Sequence, residues 1–314
     1  MRSLRLAAQF GQPAVRGFTQ PTFLTTTQQS RSVYSAGGVR TLPGTLIRTE
    51  GQPLSGDAAV DEAYDGLGAT FDFFQQVFGR NSIDNAGLPL LATVHFGNNY
   101  TNAQWDGSQM IFGDGDGFLF HRFTSAIDII GHELTHGVTE HDSHLQYFQQ
   151  SGALNESLSD VFGSLVKQFA LKQKAEEADW LIGAGLFTSE VQGVALRSMA
   201  APGTAFDDPI LGKDPQPADM SGFVTTFDDN GGVHINSGIP NRAFYLVETQ
   251  LGSYAWERAG TIWYNTLSSS QLRPNANFQQ FAQVTLTTAQ QLYGIGSSEA
   301  DAVRDGWNTV GVTI

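Results

Sequence analysis

Residues 126–140 read AIDIIGHELTHGVTE, and this segment constrains the chain more than any other. In a helix, which turns about 100° per residue, His132 and His136 lie on one face about one turn apart. Their imidazoles can therefore share one metal ion. Glu133 lies beside the first of these histidines, where a carboxylate can take a proton from a metal-activated water. The segment predicts a helix that carries two zinc ligands and a general base.

The third ligand is expected from a different helix. The metzincin pattern requires a third histidine at the position where this chain has Asp142. Glu156 lies twenty residues after His136, in the segment SGALNESLSDVFGSLV (151–166), whose apolar residues have helical spacing. With both histidines it completes a set of two His and one Glu, which leaves one coordination position open for water. We therefore predict a catalytic zinc site.

A second acid follows on the same predicted helix. Asp160 lies one turn beyond Glu156 on the same face. A carboxylate there can accept the second ring N–H of His132 and so determine which ring nitrogen is free to bind the metal. Taken alone, two acids one turn apart indicate a solvated helix face. Beside HELTH we interpret Glu156 as a ligand and Asp160 as the residue that orients His132.

Composition excludes several classes of protein. Among 314 residues, 17 Lys and Arg stand against 31 Asp and Glu, which gives a formal charge of −14. This charge disfavours nucleic acid as a partner, because phosphates are neutralised by clustered cations. The chain has no Cys, so disulfides and thiolate nucleophiles are excluded and any metal must use His and carboxylates. The apolar runs are too short for a membrane span.

The N-terminal part differs from the rest in charge. The first 49 residues contain six Arg and no acid. Arg5, Gln9, Gln12 and Arg16 interrupt the apolar stretch, so it lacks the apolar core of a secretory signal peptide. We interpret residues 1–28 as a basic arm that is the remnant of a pro-segment. An organelle transit peptide is the alternative, since such peptides are also rich in Arg and Ser and poor in acids.

Hydrophobic patterning predicts an α+β fold with two lobes. Residues 31–49 have short β-branched and aromatic stretches separated by Gly-Gly and Pro-Gly, which is typical of a β-hairpin. Residues 58–79 have helical apolar spacing and end at Gly79. We predict a β-rich N-terminal lobe over residues 29–145, which includes the HExxH helix, and an α-helical C-terminal lobe over residues 146–314. The helices predicted in the second lobe are 153–171, 236–251, 254–267, 277–292 and 297–310.

Four motifs occur in an order that resembles the thermolysin family of zinc metallopeptidases. They are GHELTHGVTE at 131–140, SGALNESLSD at 151–160, LRSM at 196–199 and DNGGVHINSG at 229–238. The resemblance runs from about Arg31 to the end, and RSVY, TLPG and VFGRNSID are most similar to the protealysin-like branch. It implies a thermolysin-like fold with the HExxH helix at the junction of the lobes. It also implies zinc-dependent endopeptidase activity.

The resemblance implies catalytic roles for residues outside the metal site. His234, which follows a Gly-rich turn, would donate a hydrogen bond to the oxyanion of the tetrahedral intermediate, with Asp229 orienting its ring. Tyr147, nine residues before Glu156, would share this role. Without the surrounding motifs, each of these residues would be interpreted as structural.

The resemblance also implies a substrate-binding surface. Arg197 would bind the substrate carbonyl beyond the scissile bond and steady Glu156. Asn102 and Ala103 would form the edge segment that pairs with an extended substrate. Six apolar residues match the family's pocket for the residue after the scissile bond, which implies cleavage on the amino side of bulky hydrophobic residues. They are Phe120, Phe123, Ile129, Ile182, Leu186 and Leu196.

The chain departs from thermolysin at the calcium cluster beside the active site. Asp128 and Asp179 match that cluster, but Lys167 stands where a carboxylate is expected. Because calcium needs roughly six to eight oxygen ligands, we expect no calcium here. We expect instead a structural ion pair of Lys167 with Asp128 and Asp179. The alternative is that Lys167 extends into solvent.

Two rival functions stay open at this point. A zinc aminopeptidase also combines HExxH with a distant Glu, but it adds residues that bind a free amino terminus, and we find no such motif. A non-catalytic zinc-containing binding protein would need neither Glu133 nor His234. The resemblance favours one catalytic Zn²⁺, protein or peptide substrates, the chain's own pro-segment as a partner, and secretion as a zymogen.

Overall fold

The computed structural model of the protein describes residues 28–314. All but the last residue of the basic arm predicted at 1–28 lies outside the described residues. The described chain begins with two strands, Arg31–Ser35 (β1) and Thr45–Thr49 (β2), which pair antiparallel. The predicted hairpin is therefore confirmed.

A five-stranded mixed sheet forms the N-terminal lobe. Leu90–Val94 (β3), Ala103–Trp105 (β4) and Met110–Phe112 (β5) complete it, in the order β2-β1-β3-β5-β4. β1, β3 and β5 run parallel, whereas β2 and β4 pair antiparallel with their neighbours. β4 is therefore an outer strand of this sheet, and its unpaired edge is available to another extended chain.

The first helix, Ala58–Phe78 (α1), has the bounds that its apolar pattern predicts. The side chain of Asp57 accepts hydrogen bonds from the first turn, and Gly79 ends the helix with φ +68°, a conformation that favours glycine. One face of α1 is buried against the sheet and the helices that follow, where Phe73 and Phe74 lie in the core.

Two helices at the junction of the lobes pack closely together. They are Ile127–Asp142 (α2) and Gln149–Leu171 (α3). The close approach depends on Gly163, because a Cβ there would come within 2.4 Å of the carbonyl oxygen of Asp128. α3 begins four residues before the predicted start. This packing brings the HELTH helix against the helix that carries the third predicted ligand.

The C-terminal lobe is mainly helical. The helix predicted at 254–267 begins only at Ala259, because Tyr254 and Trp256 stack on each other at 4.6 Å and the chain there forms a turn. The helices are Asp229–Asn236 (α4), Gly238–Leu251 (α5), Ala259–Leu267 (α6), Phe278–Tyr293 (α7) and Ser298–Thr309 (α8). Two short hairpins precede them, Leu181–Ile182 (β6) with Arg197–Ser198 (β7) and Asp207–Asp208 (β8) with Gly212–Lys213 (β9).

The predicted α+β architecture is confirmed, with a mixed sheet in the first lobe and helices in the second. Between residues 28 and 314, none of the helices combines the length and the apolar character needed to cross a bilayer.

Candidate active site

The three predicted ligands meet between α2 and α3. The Nε2 atoms of His132 and His136 are 3.1 Å apart, and each lies 3.5 Å from an oxygen of Glu156. Two ligand atoms bound to one tetrahedral zinc ion at about 2.1 Å are separated by about 3.4 Å. Among residues 28–314, these are the one group of three His, Cys, Asp or Glu side chains that can hold a metal ion. The donor set therefore fits zinc.

The second nitrogen of each ligand histidine is held by α3. His132 Nδ1 lies 2.8 Å from Asp160 Oδ1, and His136 Nδ1 lies 2.7 Å from Asn155 Oδ1. Both partners are acceptors, so each Nδ1 carries the proton and each Nε2 keeps its lone pair toward the site. The contacts at Nδ1 therefore select the tautomer of each histidine that can bind a metal through Nε2.

The electrostatic environment also keeps His136 and Glu156 in the protonation states that bind a metal ion. Burial lowers the pKa of His136 to about 4, so its imidazole is neutral at neutral pH. Burial opposes ionisation of Glu156, but the charges of His234 and the ligand histidines outweigh it and hold its pKa at about 2. The pKa of His132 is raised, because Asp160 and Glu156 outweigh the effect of burial. Protons therefore compete with a metal at His132.

Glu133 is held at the end of the outer strand β4. The backbone N–H of Trp105 donates to Glu133 Oε2 at 3.1 Å. Burial raises the pKa of Glu133 to about 7, although the charge of His132 opposes the shift. A divalent cation at the ligand triad would oppose this rise in pKa and favour the ionised carboxylate, which can act as a base. The group is thus poised to exchange a proton near neutral pH.

Two hydrogen-bond donors lie beside Glu156. The Tyr147 hydroxyl hydrogen-bonds Glu156 and lies 3.1 Å from His234 Nε2. His234 Nδ1 lies 2.5 Å from Asp229 Oδ1. Burial would lower the pKa of His234, but Glu156 and Asp229 raise it to about 9, and burial raises that of Tyr147 well above its usual value. Both groups keep their protons at neutral pH.

A left-handed loop at the start of α4, which is not helical from Asn230 to Gly232, places His234. Four consecutive residues, 229–232, have positive φ between +49° and +86°. Glycine suits the third position because a Cβ on Gly231 would come within 2.7 Å of the Gln149 side chain, at the start of α3. The backbone N–H of His234 donates to Asp229 at 2.8 Å, so the acid fixes both ring and backbone. The DNGG sequence is therefore what this loop geometry needs.

Arg197 differs from expectation in the partner that it contacts. Its Nε and Nη2 atoms donate to Asp160 at 2.8 and 2.6 Å, and within the described chain its side chain makes no hydrogen bond to Glu156. Its effect on Glu156 is through charge. Asp160, fully buried, thus joins the implied substrate-binding arginine to the ligand His132, and these contacts lower its pKa despite burial.

The implied substrate-binding residues come from the edge strand β4, the β6–β7 pair and an apolar cluster. Asn102 and Ala103 lie at the start of β4, two to three residues before Trp105. Pairing of β6 with β7 places Ile182 opposite Arg197. Five of the six apolar residues are at most 5% exposed and the sixth is half-buried, so they form a covered apolar cluster. They are Phe120, Phe123, Ile129, Ile182, Leu186 and Leu196.

Lys167 lies between the two expected acids. Its Nζ atom is 3.0 Å from Asp128 Oδ2, 2.8 Å from Asp179 Oδ1 and 2.7 Å from the carbonyl oxygen of Leu181. Burial would lower its pKa, but Asp128 and Asp179 raise it. The ammonium, in the last turns of α3, therefore joins this helix to the start of α2 and to the segment from Asp179 to the start of β6.

Comparison with known families gives a match over nearly the whole chain. The thermolysin metallopeptidase catalytic domain matches residues 17–140, and the thermolysin metallopeptidase alpha-helical domain matches residues 143–312. The chain belongs to the thermolysin family of metallopeptidases. It is a zinc-dependent endopeptidase of the protealysin-like branch.

Individual relatives agree with this assignment. The precursor of protealysin from Serratia proteamaculans has a similar structure, with a TM-score of 0.90 and 58% identity, covering 94% of this chain and 91% of that one. An extracellular metalloprotease of Pectobacterium carotovorum subsp. carotovorum is 57% identical over 91% of this chain and 82% of its own length. A thermolysin from Alicyclobacillus acidocaldarius subsp. acidocaldarius is 39% identical over 86% of this chain and 49% of its own length.

Two residues near the thermolysin-family site were not predicted from the sequence. Asn155 holds His136, and its position directly before Glu156 in SGALNESLSD was the available signal. Trp105 donates to Glu133 from its backbone and to Glu140 Oε2 from its indole at 3.1 Å. A backbone contact carries no residue-type signal, so no sequence pattern could have identified it.

Proposed function

We propose that His132, His136 and Glu156 hold the catalytic zinc ion of this endopeptidase and that Glu133 is its general base. The observation that carries the proposal is the convergence of two Nε2 atoms and a carboxylate within 4.8 Å of one another, with both Nδ1 atoms occupied by acceptors. A purely structural site has four protein ligands, whereas three ligands leave room for water.

Glu133 carries the proton transfers in the proposed mechanism. A zinc ion at the triad supplies a Lewis acid and lowers the pKa of water to near neutrality. Glu133 accepts the proton of the attacking water and passes it to the leaving amine. The N–H of Trp105 keeps this carboxylate beside β4, where the substrate backbone would lie.

His234 and Tyr147 stabilise the oxyanion in this proposal. Both are protonated at neutral pH, since the pKa of each is raised. The Tyr147 hydroxyl hydrogen-bonds Glu156, and His234 Nε2 lies 3.4 Å from an oxygen of the same carboxylate. Donors held in place before the reaction stabilise charge that develops in the transition state. Asp229 orients His234 by accepting from Nδ1.

The substrate is proposed to bind as an additional strand. The free edge of β4, with Asn102 and Ala103, can pair with an extended peptide. Arg197 would then bind the carbonyl that follows the scissile bond. Because Ile182 pairs with Arg197 and belongs to the apolar cluster, a bulky apolar side chain on the leaving-amine side would lie next to that cluster.

We propose that Lys167 replaces calcium beside the active site. Its three contacts, to Asp128, Asp179 and the carbonyl of Leu181, use oxygen atoms that would otherwise be free to bind a cation. One ammonium group thus joins the same segments that a calcium ion would join. Stability is then expected to be independent of added calcium at this site.

The organisation of the chain is proposed on the same basis. Residues 29–145 and 146–314 form the two lobes, and residues 1–28 form a basic arm derived from a pro-segment. The named precursor of protealysin and the extracellular metalloprotease support a secreted enzyme made as a zymogen, with its pro-segment as a partner. The charge of −14 argues against a nucleic-acid partner.

The decisive experiment measures cleavage and metal content together. The protein is tested on casein and on a blocked peptide with Leu or Phe after the target bond, with and without o-phenanthroline. We expect chelator-sensitive internal cleavage, about one zinc per chain, and cleavage on the amino side of the apolar residue. Glu133→Gln should keep the zinc and lose the cleavage.

Each rival predicts a different result. Zinc retained without cleavage of any unfolded protein would support a binding protein. Release of single amino-terminal residues, blocked by N-acetylation, would support an aminopeptidase. Absence of zinc from the purified active protein would overturn the ligand assignment.

A further inference from the structure

Asp160 is surrounded by hydrogen-bond donors from three parts of the chain. Its Oδ1 atom accepts from His132 Nδ1 at 2.8 Å and from Arg197 Nη2 at 2.6 Å. Its Oδ2 atom accepts from Arg197 Nε at 2.8 Å and from Asn241 Nδ2 at 2.8 Å. Asn241 is thus the one amide side chain among these donors, and it comes from α5 in the C-terminal lobe.

The amide of Asn241 has only one orientation that suits this contact. With the amide reversed, its oxygen would face the carboxylate of Asp160, and two acceptors would repel each other. In the observed orientation, Asn241 is fully buried and its Oδ1 atom has no hydrogen-bond partner in residues 28–314. An unpartnered buried carbonyl generally costs about 1–3 kcal/mol.

That cost suggests that Asn241 is not retained for packing. A leucine has the same number of side-chain heavy atoms and the same branching at Cγ, and it would bring no polar atom of its own to this buried position. The benefit of the asparagine must therefore come from its Nδ2 donor and the carboxylate that this donor contacts. Local costs of this kind are expected at functional sites.

We propose that Asn241 is a positioning residue for peptide hydrolysis, acting on His132 and Arg197 through Asp160. The inference rests on the proposed function of the site. Without Asn241, Oδ2 of Asp160 would be held by Arg197 alone, and the carboxylate could rotate toward that arginine. Rotation would weaken the contact that orients His132 and would shift the guanidinium that binds the substrate. Asn241 therefore links zinc retention to substrate binding.

The test compares Asn241→Leu with a matched variant, Gln168→Leu. Gln168 is also fully buried, also has an unpartnered side-chain oxygen, and donates to Ser164 rather than to Asp160. The first readout is the rate of zinc release to a chromogenic chelator, which does not depend on activity. The second is kcat and KM on a blocked peptide that spans the cleavage site.

Asn241→Leu is expected to release zinc about 3- to 10-fold faster. This effect is smaller than the roughly 10- to 100-fold loss of metal affinity that follows when a direct partner of a metal ligand is removed. The KM should rise about 3- to 10-fold with a smaller change in kcat, since Arg197 binds substrate. Gln168→Leu should leave zinc release and KM unchanged.

A second variant keeps the test decisive if leucine prevents folding. Asn241→Ala, compared with Gln168→Ala, removes the donor and leaves a small cavity. Wild-type zinc release and KM in a folded Asn241 variant would overturn the proposal, as would equal effects in the Gln168 variants. A wild-type protein that binds no zinc and cleaves nothing would instead overturn the proposed function, so the two failures are distinguishable.

Discussion

Glu248 provides a quantitative test of the electrostatics of this fold. It lies in α5, it is fully buried, and neither carboxyl oxygen has a hydrogen-bond partner in the described chain. Burial raises its pKa from 4.5 to about 8, although the charge of Arg258 and the N–H dipole of Ala259 oppose the shift. At neutral pH the folded protein therefore holds this side chain mainly as the neutral acid.

The raised pKa has a definite consequence for stability. In the unfolded chain the carboxyl ionises above pH 4.5, whereas in the folded protein it ionises only near pH 8. Between these values folding takes up a proton, so stability falls as pH rises. The linkage relation gives a loss of about 3 kcal/mol at pH 7 and an upper limit of about 5 kcal/mol above pH 9.

Glu248→Gln should remove this dependence, since an amide of the same shape does not ionise. The free energy of unfolding is measured by urea titration at several pH values, in a Glu133→Gln background that prevents self-digestion. The stability of Glu248→Gln relative to its parent should grow by about 2–3 kcal/mol between pH 5 and pH 7. Glu190→Gln, at an exposed position outside α5, is the control and should show no such trend.

A constant difference between the parent and Glu248→Gln across this pH range would refute the reasoning. It would mean that Glu248 has the same pKa in the folded and the unfolded chain. Water would then have to reach the carboxylate, or Arg258 would have to pair with it directly.

Two further predictions concern the site itself. His234→Ala should lower kcat about 10²- to 10³-fold with zinc content unchanged, because one donor to the oxyanion is lost. His141→Ala, at an exposed position of α2, is the control. Equal losses of kcat in both variants would contradict the role of His234. Lys167→Met should lower the free energy of unfolding by about 3 kcal/mol, because it leaves Asp128 buried without its cation. Calcium that stabilises the wild type by binding between Asp128 and Asp179 would contradict the proposed replacement.

Local periodicity made the first part of the site predictable. The four-residue spacing of His132 and His136 is a property of one helix, so it needs no knowledge of the rest of the chain. The end of α1 at Gly79 and the left-handed loop before His234 are also local, because glycine is favoured wherever φ is positive. Family resemblance then extended the assignment to residues whose spacing carries no physical signal.

Contacts between distant segments required the tertiary structure. The partner of Arg197 was expected to be Glu156 and is Asp160. The turn at residues 254–257 replaces a predicted helical start, since aromatic packing overrides local propensity.

The sequence by itself determined the metal-binding motif, the acidic and cysteine-free character that limits the ligands to His and carboxylates, and the positions of most of the long helices. The contact of Asp160 with His132 was predicted, but only the tertiary structure decided that Asp160 also joins Arg197 and Asn241, and that the backbone of Trp105 holds Glu133. The physical reason is that helical spacing acts over a few residues. The other contacts join residues 28 to 81 positions apart, which meet only when packing of α2, α3, α5 and the sheet brings them together.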